Sequence, residues 1–180
     1  MDKRYNPTEV EEKWVDIWSE NVFFNKDAKN TFSQVIPPPN VTGTLHMGHS
    51  FQYAIMDFYT RYNHMSGKKS HWQVGTDHAG IATQLVVENN LSKKNISRLQ
   101  LGRDEFLNEV WKWKDFSEEK IQSQIKRLGS SVDWSKYRFT LDERFSKTVN
   151  KAFIDLYRSN KIYRGYRLVN WAVSYTHLRA

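Results

Sequence analysis

Apolar and polar positions alternate along this chain in two rhythms. Near the start, Val10, Trp14, Ile17 and Trp18 recur every three or four residues, the spacing of one helix face. Asn6-Pro7-Thr8-Glu9 stands before them. Asn suits a helix cap, Pro the first helical position, and Glu the place from which it reaches back to the cap. The pattern predicts a helix to about Asn21. Thr31–Ile36 is short, partly β-branched and halted by three prolines, which predicts a strand that ends abruptly. Phe51, Ile55, Phe58, Tyr59 and Tyr62 return to helical spacing. A turn at Ser66-Gly67-Lys68 leads into a second strand over Ser70–Val74. After Gly75–Gly80, a helical stretch passes through Ile81, Leu85 and Val86. Strand, loop and helix thus occur twice in succession, which predicts an α/β fold of βαβ units around a parallel sheet.

The middle of the chain predicts long helices. From Arg103 to Leu128, Phe106, Leu107, Val110, Trp111, Ile121, Ile125 and Leu128 keep the helical period, and Gly129 can terminate it. Phe116-Ser117-Glu118-Glu119 is the place where this stretch is expected to split in two. Trp111, Trp113 and Phe116 could stack nucleic-acid bases, but their spacing fits packing better. Ser131–Trp134 reads as a turn. Asp142 is placed to cap a further helix through Val149, Phe153 and Tyr157, and Tyr166–Trp171 predicts a third strand. No internal repeat or low-complexity linker interrupts this order.

Composition narrows the class. At 180 residues, with 39% hydrophobic and 14% aromatic residues, the chain can bury the core of about one domain, which excludes a disordered segment. No run of eighteen apolar residues occurs, and mean hydropathy is −0.74, so no membrane-crossing helix is expected. The opening MDKRYNPTEVEEKW lacks the apolar stretch of a secretory signal. Zero cysteines exclude disulfides, thiol nucleophiles and thiolate zinc sites. The expectation is a soluble, cytoplasmic protein. A net charge of +7 favours polyanions such as nucleotides or RNA. Yet the basic residues are interleaved with acids in no block of five like charges, which reads better as solvated faces.

The chemistry concentrates in Pro37-Pro38-Pro39-Asn40-Val41-Thr42-Gly43-Thr44-Leu45-His46-Met47-Gly48-His49. This stretch lies where a strand passes into a helix, the ligand edge of an open parallel sheet. His46 and His49 stand on one helical face, with side-chain-free Gly48 between them. A helix N-terminus offers unpaired N–H groups and a partial positive charge, which suit phosphate. Two imidazoles there can donate to oxygens that gain charge as a phosphoryl centre is attacked. His-x-Gly-His alone is a short match, and its place after a strand, a rigid proline run and a turn glycine strengthens it. Thr76-Asp77 precedes a helical stretch, so Asp77 by itself reads as a helix cap. His64 and His71 have no carboxylate or thiolate neighbours in sequence, so a surface role suits them better than a metal. His78 is expected to support the site from behind.

His46-Met47-Gly48-His49 resembles the HIGH motif of class I aminoacyl-tRNA synthetases, and the whole stretch from Pro37 is similar to its form in the valyl branch of that family. A second block, Trp72–Gln84, is similar to the same branch. So are Gly102-Arg103, Trp111–Lys114, Arg127–Trp134, Tyr163-Arg164-Gly165 and Leu168–Trp171, so the resemblance spans nearly Tyr5 to Trp171.

The resemblance implies a Rossmann-type parallel sheet, forming the first half of a class I catalytic domain. It divides the chain into an N-terminal helical extension over 1–31, the catalytic half over 32–171 with a helical connective region at about 91–160, and an unmatched tail over 172–180. It also implies ATP-dependent activation of valine to valyl-adenylate and transfer to the 3′ end of tRNA(Val). Carried onto this sequence, His46 and His49 would contact ATP phosphates as catalytic residues, Gly48 would lie under adenine, and Thr42 and Thr44 would stand near the nucleotide. Asp77 and Asn40 would hold the ammonium of valine, and Pro38 and Pro39 would wall its side chain. Magnesium enters with ATP, and no protein-bound metal is expected. The whole enzyme would be a monomer without membrane contact.

The family also has a lysine-bearing KMSKS-like loop, an inserted editing domain and a helical anticodon-binding domain, none of which occurs in this sequence. The expectation is an amino-terminal fragment that is inactive alone. An isoleucyl synthetase, a small nucleotidyltransferase and a non-catalytic RNA- or partner-binding remnant are the alternatives.

Overall fold

A computed structural model of the chain describes residues 4–20 and 28–168. Helix α1 (Pro7–Glu20) opens it, as the Asn6-Pro7 start predicts. Strand β1 (Thr31–Val35) and strand β2 (Lys69–Gln73) pair in parallel, Thr31 opposite Lys69 and Val35 opposite Gln73, across helix α2 (Met47–Met65). This is the βαβ unit expected from the pattern. Val74 alone separates β2 from β3 (Gly75–Thr76), which pairs in parallel with β4 (Arg138–Phe139). Helix α3 (Ile81–Ser92) and the long helix α4 (Arg98–Arg127) come between them, and α5 (Glu143–Arg158) follows.

The core explains why these elements meet here. Ile36 and Tyr53 pack with Trp72, Val74, Ile121, Ile125 and Val132, which brings the strand ends, α2 and α4 into one cluster. A second cluster joins α3 to α4 through Val87, Leu91 and Phe106. Gly75 has no room for a side chain, because a Cβ there would lie 2.3 Å from the Arg138 carbonyl oxygen. The backbone approach of β3 to β4 therefore requires glycine.

Two expectations, the break in α4 and the third strand, are corrected. The α4 stretch does not break at Phe116–Glu119. The non-helical residue is Gly102, at φ 75°, while Ser117 and Glu118 are buried with hydrogen-bonded side chains. Polar residues at a helix centre read as a break only until they find partners. The apolar stripe of α2 forms its helix but leaves Phe51, Phe58 and Tyr62 exposed. The buried face instead carries Tyr53, Thr60 and Asn63, with Gln34 of β1 reaching the Met56 carbonyl and the Thr60 hydroxyl. Tyr166–Leu168 forms no strand, and the rest of the predicted third strand and the 172–180 tail lie outside the described residues. Asp142 does cap α5, its carboxylate accepting from Phe145 N at 2.8 Å. Among the described residues, no helix is long and apolar enough to cross a membrane.

Candidate functional site

The parallel ladder continues past β1 and sets two loops side by side. Ile36 N donates to the Gln73 carbonyl at 2.9 Å. Farther on, Asp77 N donates to the Pro39 carbonyl at 2.8 Å and Val41 N to the Asp77 carbonyl at 2.9 Å. These last two bonds form a parallel bridge between Asn40 and Asp77. Two residues far apart in sequence thus leave the sheet at the same edge, at the carboxyl ends of their strands. Asn40 is exposed and Asp77 half-buried, so both remain within reach of a ligand.

The first loop ends at α2, whose start is closed by the two histidines themselves. Gly48 N donates to His46 Nδ1 at 3.1 Å, and His46 N donates to His49 Nδ1 at 3.2 Å. Each ring thereby satisfies an N–H that the helix leaves unpaired. Because each Nδ1 accepts, the neutral rings carry their protons on Nε2. The arrangement turns both imidazoles into outward donors of fixed tautomer. Their centroids lie 3.9 Å apart. Gly48 makes this possible, since a Cβ there would stand 2.9 Å from His46 Cε1. Burial, and then the charge of neighbouring His46, hold the His49 pKa below its usual 6.5 and favour the neutral ring. Beneath it, burial pushes the Tyr53 phenol up to about 12, so it stays protonated.

The second loop is built differently. Gly80 occupies the cap position of α3 without a side-chain bond, and both Ala79 and Gly80 have φ 52°. Asp77 therefore does not cap α3. Its Oδ1 accepts from Ala79 N at 2.8 Å and from Thr140 Oγ1 at 3.4 Å, and His78 Nδ1 lies 3.4 Å away. None of these contacts uses Oδ2. His78 also meets Thr140 through its backbone N–H at 2.9 Å and its ring Nδ1 at 2.5 Å. These contacts tie the second loop to the residue that follows β4.

The remaining sequence-derived candidates are spread around this edge. Pro39 is buried with its carbonyl in the bridge, and Pro38 is exposed beside it. Thr42 is half-buried and Thr44 exposed, both on the loop between Asn40 and His46. Sequence reasoning missed Thr140 and the buried group behind Asp77. There, Thr76 Oγ1 donates to Glu118 Oε1 at 2.8 Å and meets Tyr137 OH at 2.7 Å. Tyr137 OH donates to the same Glu118 oxygen at 2.8 Å. Lys114 Nζ holds Glu118 Oε2 at 2.6 Å. The Lys114–Glu118 spacing was a readable signal; the Thr76, Tyr137 and Thr140 hydroxyls carried none. Among the described residues, no three His, Cys, Asp or Glu side chains gather as metal ligands.

Two parallel strands that release neighbouring loops at their carboxyl ends are the arrangement of a Rossmann-type sheet. The chain belongs to the class I tRNA synthetases: the family model described as tRNA synthetases class I (I, L, M and V) matches residues 12–178. Its relatives narrow the branch. It is 56% identical over 168 residues to the valine–tRNA ligase of Acinetobacter baylyi, covering 93% of this chain and 17% of that protein. It is 52% identical over 174 residues to that of Francisella tularensis, covering 95% and 19%. The chain thus spans under a fifth of the length of these relatives. Among solved structures, it is similar to Agrobacterium radiobacter K84 agnB2 LeuRS, in a ternary complex with tRNA and LeuAMS. The TM-score is 0.69 at 21% identity, over 89% of this chain and 19% of that one, which supports the fold.

Proposed function

We propose that this segment works within a cytoplasmic, monomeric valine–tRNA ligase, where it forms one side of the site that activates valine with ATP. The observation that carries the reading is the Asn40–Asp77 bridge, which pairs an amide-bearing and a carboxylate-bearing residue at the start of the loop that leads to the His46–His49 helix start. Asp77 Oδ2 and the Asn40 side-chain oxygen are suited to the ammonium of an amino acid, a charge-assisted contact that also fixes orientation. Pro38 and Pro39 offer a rigid wall to a small branched side chain. Gly48 gives adenine access to the backbone, and Thr42 and Thr44 add hydroxyls nearby.

The chemistry follows from this placement. The valine carboxylate attacks the α-phosphorus of ATP. A new P–O bond forms, the bond to the β-phosphate oxygen breaks, and pyrophosphate leaves with its magnesium. The His46 and His49 Nε2–H groups donate to the oxygens that gain charge in that step. The adenylate then acylates a hydroxyl at the 3′ end of tRNA(Val), and AMP leaves. Magnesium arrives and departs as part of the nucleotide substrate.

The test is pyrophosphate exchange into ATP by the full-length enzyme that carries this segment, with valine, isoleucine and threonine compared. Exchange fastest with valine supports the reading. Exchange fastest with isoleucine, or none with any amino acid, overturns it.

A further inference from the structure

The loop that carries the histidines is fastened to α4. Trp113, Ser117 and Gln124 fall within about 40° of one another around that helix, at about 100° per residue. Each reaches a different backbone group of the loop. Trp113 Nε1 donates to the Val41 carbonyl at 2.9 Å, Ser117 Oγ donates to the Gly43 carbonyl at 3.1 Å, and Leu45 N donates to Gln124 Oε1 at 2.9 Å. Alternate loop residues are thus tied to one helix face, and the last tie falls on the residue before His46. Ile121 and Ile125, both fully buried, anchor that part of α4 in the core, with Leu45 packed against the same cluster. The helix cannot shift without disturbing packed side chains. The loop inherits its position from the core.

We infer that Gln124 is a positioning residue for adenylate formation, setting where the His46 and His49 rings stand by holding Leu45 N–H. Ser117 and Trp113 hold the same loop upstream. The inference rests on the reading of these histidines as donors to the phosphate. It adds that their placement is set by a helix distant in sequence. Without the Gln124 oxygen, Leu45 N–H exchanges an oriented partner for water, and the helix start swings relative to Asp77. A displacement of that kind costs rate more than ground-state binding.

The experiment uses the full-length enzyme and three variants: Gln124→Met, which keeps side-chain length but lacks the oxygen; Gln124→Glu, which keeps an acceptor; and Ser123→Ala, whose hydroxyl bonds to the Lys120 carbonyl of its own helix. Two readouts are taken: pyrophosphate exchange, and backbone amide exchange by mass spectrometry across 41–49. In Gln124→Met, kcat is expected to fall about ten-fold with KM for ATP within about two-fold, and amide exchange in 41–49 to quicken about ten-fold. Gln124→Glu and Ser123→Ala are expected to stay within about two-fold of the parent on both readouts.

Unchanged loop amides in Gln124→Met, a Gln124→Glu variant as impaired as Gln124→Met, or a change in KM alone overturns the inference. So does equal damage from Ser123→Ala. If the parent enzyme shows no pyrophosphate exchange, the functional reading fails by itself. The amide readout then still decides whether Gln124 fixes the loop.

Discussion

The two loops at the sheet edge solve the same problem in opposite ways. Both carry the chain from a strand toward a helix, and both bear side chains assigned to substrate. Before α2, the histidines close the helix start with their own Nδ1 atoms and keep Nε2 for a ligand. Before α3, the helix start has no side-chain cap, and Asp77 is braced by Ala79 N–H and by Thr140 from β4's far end. The first loop is held along its length by α4, but the helix start it leads into takes its local order from the groups proposed to react. The second takes it from neighbours that do not react. Damage to the first loop should therefore disturb chemistry and helix start together, whereas damage to the second should stay with one ligand contact.

The comparison can be broken most sharply at the histidines. His46→Ala removes a donor and a cap at once. We expect kcat for pyrophosphate exchange to fall on the order of a hundred- to a thousand-fold, with a loss of about 1 kcal/mol in stability by denaturant titration. A loss of rate with no loss of stability would separate the two roles. Asp77→Asn should act on the other loop alone. Valine kcat/KM is expected to fall about a hundred-fold, the worth of a hydrogen bond to a charged group, with KM for ATP nearly unchanged. Equal damage to ATP and valine kinetics would show that the loops are not independent.

Gly48→Ala sharpens the point further. The added methyl meets the His46 ring at Cε1, so we expect about a ten-fold loss of kcat. Alanine's helix preference, at most about 1 kcal/mol, is offset by the disturbed His46 cap, so the melting temperature should hold within a few degrees. The smallest effect is that of pH on His49, whose pKa lies below 6.5 in the folded chain. Between 6.5 and that lower value, the unfolded chain binds more protons than the folded one. The contribution is therefore complete above 6.5 and is lost as pH falls through the window. Imidazole ¹⁵N shifts followed against pH should show His49 titrating below an exposed histidine.

What the sequence disclosed was local. Alternation and helical spacing located β1, β2 and the helices, and Asp142 announced the start of α5, because a cap or an apolar stripe is written within a few adjacent residues. The histidines and Asp77 were legible through resemblance, as the two blocks Pro37–His49 and Trp72–Gln84. The bridge that joins them was not legible, since it pairs Asn40 with Asp77 across the whole of α2. Nor were the ties from α4: Ser117 and Glu118 read as a helix break because their partners, Gly43, Thr76 and Tyr137, lie far along the chain. β3 and β4, at two residues each, are too short to show any period. Thr60 and Asn63 turned inward because Gln34 and the end of α2 offered them bonds, which a hydrophobic pattern cannot record.

Arg61 shows how the amino-terminal helix is retained. Its guanidinium meets the Asp57 carboxylate of its own helix at 2.6 Å, the Gly129 carbonyl at 2.6 Å, and the face of Trp18 on α1 at 5.2 Å from the ring centre. An ion pair, a carbonyl bond and a cation–π contact respond differently to solvent. Added salt weakens the first by screening, while the carbonyl remains an acceptor and the indole remains a platform. Of these only the indole belongs to α1, so that contact should survive brine better than the Arg127–Glu11 ion pair that also joins α1 to α4.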